Sequence, residues 1–371
     1  MSTFSSGLPG QRPGPGLRDP KVCAIELCAG RENIFQDPGF HVWCGSVIPW
    51  GGCWWLFYSR WPESAGFDAW ATHSEIALAC GTSPVGPFQP QDHVLLPVAG
   101  GHGWESGAAH NPTVVQRDGR LFMAYMANCG PVAHAGVPSE PVRQDDDWWA
   151  HRNNQRIGVA TAARPEGPWG TTPGPVLDVD PAGWDSLLVN NPSIFQKSDG
   201  RWAMIYKGVA SGPPPFGGDV LHGLAEAPGP AGPYHRVSGV HPFAVPGIKF
   251  PAEDPFAWWD QASGIYRAIV KDMNGALTGL GRTLAFYQSV DGRDWVNAAR
   301  PPISGSEIRW NDGVVEKFGR IERPQVTFDT EGRPVALQLA CLRDEPGSVS
   351  FSLSVPIEPG FFDFGPGGGV P

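Results

Sequence analysis

The chain contains many short stretches in which apolar and polar residues alternate, and each stretch follows a turn signal. Alternation over a few residues predicts a strand with one buried face. One such element, a turn followed by an aromatic-rich strand, occurs five times. Its copies are GGCWWLFYS (51–59), DGRLFMAYM (118–126), DGRWAMIYK (199–207), SGIYRAIVK (263–271) and EGRPVALQL (331–339).

Two further elements accompany each copy. A short strand that often opens with a polar residue and proline comes before it, as CGSVI (44–48), NPTVV (111–115), NPSIF (191–195), DPFAW (254–258) and RPQVT (323–327). A strand with a Gly/Pro turn comes after it, as IALACGTSPVGPF (76–88), GVATAARPEGPW (158–169), GLAEAPGPAGPY (223–234), LAFYQSVDGRDW (284–295) and a weaker copy, VSFSLSVPIEPG (349–360). The set recurs every 63 to 80 residues, which suits one four-stranded sheet per copy.

This repeat predicts an all-β fold, a five-bladed β-propeller with four-stranded antiparallel blades around a central channel. Radial arrangement of the sheets leaves only short, protected edges. A sandwich of short strands is the rival architecture, and the repeat favours the propeller because a sandwich need not recur at a fixed period. We expect one domain over residues 23–371, preceded by a flexible Gly/Pro-rich tail over residues 1–22.

Composition agrees with a fold of many turns and narrows the partners. The chain has 49 Gly and 40 Pro among 371 residues, and only 17% of its residues are charged, with a formal net charge of −10. An acidic chain is a poor ligand for a phosphate backbone, so we expect no nucleic acid partner. The sequence lacks an apolar run long enough to span a bilayer, so we expect no membrane partner. Composition leaves the oligomeric state open.

Cysteine usage and motif content bear on compartment and cofactors. The seven cysteines are an odd number and form no CxxC pair, which favours reduced thiols. The first 22 residues lack the apolar centre of a signal peptide, so we expect a cytoplasmic protein. HxH, HExxH, GxGxxG, GxxxxGK and GxSxG motifs are absent from the sequence, so we expect no cofactor and no transition-metal site. The sequence leaves open whether a calcium ion binds in the channel, because oxygen ligands leave no clear sequence pattern.

The residues that open the innermost strands should converge on the channel. They are Trp43, Cys44, His110, Asn111, Asn190, Asn191, Glu253, Asp254, Glu322 and Arg323. Amides and arginine bind hydroxyls, indole faces stack on sugars, and carboxylates move protons. Cleavage of a glycosidic bond needs an acid for the leaving oxygen and a second group as base or nucleophile. Asp254, Glu322 and Glu253 are therefore the candidate catalytic carboxylates, unless these residues only fix turns or form a Glu–Arg ion pair.

Other polar residues near strand ends are candidate substrate contacts. With the channel residues Trp43, His110, Asn111, Asn191 and Arg323, the predicted substrate-binding set includes Arg60, His73, His151, Arg152, Lys207, Lys271 and Asp272. Simpler explanations exist for two groups of them. The run HRNNQR (151–156) also fits a solvated loop, and Lys271 with Asp272 also fits a plain ion pair.

The segments HVWCGSVI, AHNPTVV, HRNNQRIGVA, NNPSIF, FPAEDPF and ERPQV together resemble the five-bladed propeller glycosidases. They are similar in particular to bacterial relatives of glycoside hydrolase families 43 and 117, some of them labelled sucrase. The resemblance covers nearly the whole chain after the tail and says little about the sugar. It implies a base Asp at the first inner strand, with a helper Asp and an acid Glu from later blades.

This sequence departs from that family pattern. Its first inner strand offers Trp43 and Cys44, and Asp254 in the fourth repeat is the only Asp-Pro that opens an aligned inner strand. Asp37 could serve as the first-blade base if that strand starts earlier. The usual assignment of three carboxylates therefore does not transfer intact.

Three functional hypotheses follow. The leading one is a glycoside hydrolase that cleaves a small oligosaccharide or glycoconjugate by carboxylate acid/base catalysis in the channel. The second is a glycoside phosphorylase, in which phosphate is the nucleophile and basic side chains hold it; its candidate phosphate ligands are Arg60, Arg152, Lys207, Lys271 and Arg323. The third is a propeller that binds a carbohydrate or a protein without catalysis, since fold alone does not imply activity.

Overall fold

The structure is a computed structural model that describes residues 24–96, 103–130, 138, 140–298 and 300–362. The predicted tail over residues 1–22 lies outside the described residues. The protein is 49% strand and 7% helix, so the predicted all-β class is confirmed. No helix among the described residues has the length and apolar character needed to cross a membrane.

The described strands, in chain order, are β1 (Ile25–Ala29), β2 (Ile34–Phe35), β3 (Phe40–Trp50), β4 (Cys53–Pro62), β5 (Glu75–Gly81), β6 (Phe88–Leu96), β7 (Ala108–Arg117), β8 (Arg120–Asn128), β9 (Arg156–Ala162), β10 (Leu188–Gln196), β11 (Trp202–Val209), β12 (Val220–Ala227), β13 (His235–Arg236), β14 (Ala252–Asp260), β15 (Ile265–Asp272), β16 (Thr283–Ser289), β17 (Val296–Asn297), β18 (Ile303–Trp310), β19 (Val315–Lys317), β20 (Arg320–Phe328), β21 (Pro334–Leu342) and β22 (Phe351–Pro356). The described helices are α1 (Trp70–His73), α2 (Asp146–Asn153) and the 3₁₀ turns Arg31–Asn33, Glu63–Ala65 and Phe67–Ala69.

These strands form five sheets. Three of them are β3-β4-β5-β6, β7-β8-β9 and β10-β11-β12-β13. A fourth sheet is built on β14-β15-β16 and extended by β18 and β1, and a fifth has the order β20-β21-β22-β2. Within each sheet the consecutive long strands pair antiparallel, as β3 does with β4 and β20 with β21. The molecule is therefore a β-propeller with antiparallel blades.

Each predicted repeat lies in the first three strands of one sheet. The polar-Pro elements fall in β3, β7, β10, β14 and β20, and the aromatic-rich elements fall in β4, β8, β11, β15 and β21. The fourth strands differ from the prediction, because β13 and β17 have only two residues each. The sheet built on β7 has three strands among the described residues. Short outer strands carry too few alternating positions to be visible in a sequence.

The N-terminal part of the chain completes the last sheet. Ile34 and Phe35 in β2 pair antiparallel with Leu353 and Ser352 in β22. This pairing joins the two ends of the described chain in one sheet, so the first and last repeats are held side by side. A two-residue strand gave no signal in the sequence, and this closure was not predicted.

The aromatic-rich second strands form the core between the sheets. Phe57, Tyr125, Tyr206 and Tyr266 are almost fully buried. Burial of each such ring removes a large apolar area from water and stabilises the fold by about 1.5–3 kcal/mol. Trp148 is buried as well and donates from Nε1 to the carbonyl of Asp68 over 2.7 Å.

Candidate functional site

Five buried side chains, one from the first strand of each sheet, form a ring in which four hydrogen bonds link successive members. The sulfur of Cys44 donates to Oδ1 of Asn111 over 2.5 Å, and Nδ2 of Asn111 donates to Oδ1 of Asn191 over 2.6 Å. Nδ2 of Asn191 and Nη1 of Arg323 both donate to Oδ1 of Asp254, over 2.9 and 3.1 Å. The charge of Arg323 acts on Cys44, so the first and last members of this series lie near each other. The structure thus brings together five of the ten strand-opening residues named in the sequence analysis.

The backbone has the same irregular conformation at all five ring residues. The strand register shifts at the same place in each first strand, as a β-bulge would produce. All five ring residues have a positive φ between 50° and 58°. Asn and Asp tolerate this conformation, but Cys44 and Arg323 seldom adopt it. Strain of this kind costs of order 1–3 kcal/mol per residue and persists where a site requires a particular orientation.

Asp254 is the acidic member of the ring. Burial raises the pKa of Asp254 to about 6; the charge of Arg323 opposes the shift, and the charges of Glu253 and Glu322 add to it. Both of its observed hydrogen bonds go to Oδ1, so Oδ2 is the oxygen left to a ligand. A carboxyl group with this pKa can hold a proton near neutral pH.

Two Glu–Lys ion pairs lie next to the ring. Nζ of Lys207 donates to Glu253, and Nζ of Lys271 donates to Glu322. Burial alone would raise the pKa of Glu253, but the charges of Lys207 and Lys271 outweigh it and lower the pKa to about 2. Burial alone would lower the pKa of Lys271, but the charges of Glu322, Glu253 and Asp254 outweigh burial and raise it. Lys271 therefore interacts with all three candidate carboxylates.

Aromatic rings and a neutral histidine form another part of the site. Nδ1 of His110 and Oγ of Ser74 are hydrogen-bonded over 2.7 Å. The centre of the His110 ring lies 5.5 Å from that of Trp61 and 5.7 Å from that of Trp70. Burial, helped by the charge of Arg323, holds the pKa of His110 well below its ordinary value. Trp43 is buried, with its ring 5.2 Å from that of Phe67. His110 is thus a neutral hydrogen-bonding group.

Helix α2 carries two of the predicted contacts. Asp145 caps its N-terminus by accepting from the backbone N–H of Trp148 over 3.0 Å. In its last turn, His151 is buried against Oδ1 of Asn128 at 2.9 Å. Arg152 is also buried, which lowers its pKa to about 10, while the nearby charge of Glu253 opposes the shift. The segment is therefore a helix end that faces Glu253, and the solvated-loop interpretation is wrong for these two residues.

Three other predicted residues have hydrogen-bond partners outside the ring. Arg60 pairs with Asp37 at 2.8 Å and with Glu75 at 2.7 Å, so Asp37 also has its counter-ion. Nδ1 of His73 lies 2.8 Å from the hydroxyl of Thr72. Asp272 accepts from four backbone N–H groups, those of residues 274, 275, 277 and 278, and from the Thr278 hydroxyl. Asp272 fixes the loop after β15 and makes no ion pair with Lys271, whose partner is Glu322.

A cavity of about 350 Å³ opens beside Glu322 and has side chains of both charges in its wall. Its charged lining residues are Lys271, Arg282, Arg320, Glu322, Arg343 and Asp344. A volume of this order accommodates a small ligand. A larger cavity of about 610 Å³, lined among others by Trp50, Trp54, Gln116 and Thr330, lies at the other ends of the first strands and has none of the candidate carboxylates in its wall.

The sequence analysis missed Arg320, which donates from Nη1 to Oε1 of Glu322 over 3.4 Å. Arg320 precedes Glu322 by two residues in β20, so the alternation of a strand places both on one face and could have indicated it. The sequence also gave no sign that the Phe216 ring lies 4.5 Å from the guanidinium of Arg152 and 5.5 Å from Nζ of Lys249, because Phe216 and Lys249 lie on loops, where periodicity carries no information. Among the described residues, no three His, Cys, Asp or Glu side chains are grouped to hold a metal ion.

Comparison with known proteins shows which solved structures this fold is similar to. Neither a family model nor a curated sequence matches the chain. Among solved structures, it is similar to a family 117 glycoside hydrolase of the marine bacterium Zobellia galactanivorans, with a TM-score of 0.58 and 15% identity over 91% of this chain and 92% of that one. It is also similar to BT0996 in a complex with RGII, with a TM-score of 0.62 and 12% identity over 91% of this protein and 93% of that one.

A third similar structure is a thermostable family-43 glycoside hydrolase, with a TM-score of 0.56 and 14% identity over 88% of this chain and 94% of that one. At these identities the likeness establishes the fold. The protein therefore shares the propeller fold of the glycoside hydrolases of families 43 and 117, and the resemblance inferred from the sequence is confirmed. The sucrase label of some sequence relatives finds no support among these structures.

Proposed function

We propose that this protein is a glycoside hydrolase that cleaves a small oligosaccharide or glycoconjugate at the ring of buried side chains. One observation carries the proposal: Lys271 pairs with Glu322 and lies opposite Glu253 across strands β14 and β15, and its charge also acts on Asp254. Paired carboxyl groups in different protonation states are what glycoside hydrolysis requires. The similar structures include glycoside hydrolases of families 43 and 117, which supports this chemistry at 14–15% identity.

The two adjacent carboxyl groups have pKa values shifted in opposite directions. Asp254, with a pKa raised to about 6, is the proposed acid, and Oδ2 is the oxygen that would protonate the leaving group. Glu253 has a pKa lowered to about 2 and stays ionised. Glu322 opens onto the cavity and is the proposed base or nucleophile. The neutral His110 and the indole of Trp43 would contact sugar hydroxyls and a sugar face.

Within this proposal, the five sheets are five blades, and the site lies in the central channel at the N-terminal ends of their first strands. The five ring residues support this arrangement, because each comes from a different sheet. We also propose that the enzyme acts in the cytoplasm without a cofactor, as the cysteine usage and the motif content of the sequence suggest.

A carbohydrate-binding propeller without catalysis is the second candidate. It is favoured by the observation that each candidate carboxylate already has a cation: Asp254 has Arg323, Glu253 has Lys207 and Glu322 has Lys271. Ion pairs of this kind could be purely structural. The phosphorylase hypothesis has weaker support, since four of its five candidate phosphate ligands, Arg60, Lys207, Lys271 and Arg323, are already paired with carboxylates.

The decisive experiment is product release from a broad panel of oligosaccharides, followed by chromatography, with and without inorganic phosphate. Wild type is compared with Asp254→Asn and Glu322→Gln. The hydrolase hypothesis expects sugar release that is independent of phosphate and is lost in both variants. Sugar phosphate formed only with phosphate present would replace it with the phosphorylase. Binding without release from any substrate would favour the non-catalytic propeller, and full activity in both variants would overturn the site assignment.

A further inference from the structure

Arg152 differs from the other buried arginines of the described chain. Three arginines are buried, with 3% exposure for Arg267, 4% for Arg323 and 8% for Arg152. Arg267 pairs with Asp260 at 2.6 Å, and Arg323 pairs with Asp254 at 3.1 Å. Arg152 has no carboxylate partner among the described residues; its Nη1 donates to two neutral oxygens instead, the carbonyl of Phe216 over 2.7 Å and Oδ1 of its neighbour Asn153 over 2.8 Å. It is a buried cation whose charge is left unmatched.

Such a cation is costly to keep. Burying a guanidinium without a counter-ion loses hydration that two neutral hydrogen bonds replace only in part. Its pKa, lowered to about 10 by burial, reflects the same cost. Only Nη1 is used within the described chain, so Nε and Nη2 of Arg152 keep their N–H groups for another acceptor. Nε and Nη2 form the planar pair of donors that matches the two oxygens of a carboxylate or of a phosphate.

The surroundings add a second unmatched cation and suitable apolar faces. The guanidinium of Arg152 lies 4.5 Å from the ring centre of Phe216 and 5.6 Å from that of Trp149. Nζ of Lys249 lies 5.5 Å from the same Phe216 ring, is exposed, and likewise has no carboxylate partner among the described residues. Flat rings stack on the apolar face of a sugar and the neighbouring cations attract an acidic group, so the two together suit an acidic sugar.

The place of this cluster links it to the proposed reaction centre. The charge of Glu253 acts on Arg152, so the two groups are neighbours. Nζ of Lys207 neutralises Glu253 and also lies 5.6 Å from the ring of Phe250, which is 6.4 Å from the ring of Phe216. An anion bound at Arg152 would therefore sit beside the carboxylates without facing an uncompensated negative charge.

We propose that Arg152, assisted by Lys249, binds an oxyanion that accompanies the sugar, with the carboxylate of a hexuronic acid as the group its planar donors fit best. The inference rests on the proposed function for its location beside the carboxylates. Its chemistry is shared by free phosphate, which would reach the same donors as a co-substrate. In either case the site selects a charged ligand over the neutral sugar of the same shape.

Binding tests this without requiring catalysis. Isothermal titration at low salt compares D-glucuronate with D-glucose, D-galacturonate with D-galactose, and inorganic phosphate alone. We expect the wild type to bind at least one hexuronate about tenfold or more tightly than its neutral counterpart, as a charge-assisted bidentate contact provides. Arg152→Met should abolish the preference, and Arg152→Lys should recover part of it. The exposed Lys249→Met, which carries little risk to folding, should reduce it several-fold.

A matched control removes an arginine outside the site. Arg201 is about half exposed and pairs with Asp199, so Arg201→Met should leave the preference unchanged. Phosphate binding that depends on Arg152 while hexuronates fail to bind would keep the oxyanion site and assign it to a co-substrate. No preference for any anion, or a preference that survives in Arg152→Met and in Lys249→Met, would overturn the inference. Hexuronate binding without cleavage of any glycoside would keep this inference and remove the hydrolase, and cleavage of neutral sugars alone would do the reverse.

Discussion

Asn191 donates a hydrogen bond from Nδ2 to Oδ1 of Asp254 over 2.9 Å, although the two residues are 63 positions apart. The same oxygen accepts from Arg323 over 3.1 Å. One carboxylate oxygen is thus held from two sides by two neighbouring sheets. This arrangement fixes the orientation of the carboxyl group and turns its second oxygen away from the ring contacts, as a proton donor to an external ligand would require.

Replacing Asp254 by Asn should affect both stability and activity. The change leaves the buried Arg323 without a counter-ion, so the free energy of unfolding should fall by about 3–5 kcal/mol. It also removes the proposed acid, so the rate of sugar release should fall by about 10²–10⁴. Urea unfolding and initial rates at saturating substrate measure the two effects.

The matched control for this variant lies at the other end of strand β14. Asp260 pairs with the buried Arg267 as Asp254 pairs with Arg323, but its position is remote from the ring. Asp260→Asn should therefore lose stability and keep its activity. Equal loss of activity in both variants would mean that Asp254 acts only through folding.

The pKa of Asp254 predicts a pH dependence of activity. An acid whose pKa is about 6 is protonated below that value and ionised above it. The rate of sugar release should therefore decline as pH rises through about 6, with a loss of about tenfold for each further pH unit. Rates from pH 4.5 to 8 measure this decline. A decline at the same pH in Asp254→Asn would assign it to another group.

The same shift predicts how stability depends on pH. Because the folded pKa of Asp254 lies above its ordinary value of 3.8, the folded protein binds this proton more tightly than the unfolded chain. The contribution to stability is complete below pH 3.8 and is lost as pH rises through about 6. The contribution of Glu253 to stability depends on pH in the opposite direction, because its pKa is lowered to about 2 in the folded protein. This contribution is complete above pH 4.5 and is lost as pH falls from 4.5 to about 2.

Between pH 4.5 and 6 the Asp254 contribution can be isolated by difference. The free energy of unfolding of the wild type minus that of Asp254→Asn should decrease with rising pH across this interval. Urea titrations at four pH values would give the slope. A difference that rises with pH would show that the folded protein favours the ionised form of Asp254.

How far the sequence predicts this molecule depends on the range of the interactions. The repeated strands were visible because alternation is local, and Asn111, Asn191 and Asp254 could be placed near one another because each opens the first strand of a repeat. Which side chains pair across sheets was not predictable. A plain ion pair with Asp272 was the simpler alternative for Lys271, which was predicted as a substrate contact. Lys271 instead reaches Glu322, 51 residues away, because the twist of the blades decides which neighbours meet.

The same limit explains the residues whose contacts lie elsewhere. Arg60 was grouped with the site because it lies near the end of an aromatic-rich strand, but in the structure it forms an ion pair with Asp37. Asp37 belongs to the segment between β2 and β3, and the pairing of a two-residue strand such as β2 leaves no pattern in the sequence. The lack of a carboxylate partner for Arg152 among the described residues is likewise a property of the folded chain. It depends on the positions of residues that are distant in the sequence.

Lys271 should tune the proposed acid. Its charge lowers the pKa of Asp254, so Lys271→Met should raise that pKa further and move the decline of activity to higher pH. Lys197→Met is the matched control, because Lys197 forms a comparably buried pair with Glu226 at 2.5 Å, remote from the ring. Rate profiles of both variants are the measurement. A profile shifted equally by both, or by neither, would contradict the assignment.

Cys44 should be inert toward thiol reagents as long as the ring is closed. Its side chain is fully buried, and burial raises its pKa to about 12, so almost no thiolate is present near neutral pH. Cys28 is exposed and should react at once, whereas Cys341, which is buried outside the ring, gives the rate for a thiol freed only by unfolding. Iodoacetamide labelling with peptide mapping, in buffer and in increasing urea, compares the three. We expect Cys44 and Cys341 to become reactive at the same urea concentration, when the whole protein unfolds. Reaction of Cys44 at a clearly lower concentration than Cys341 would mean that the ring opens in the native protein. Asp254 would then lack the fixed orientation that the proposed mechanism requires.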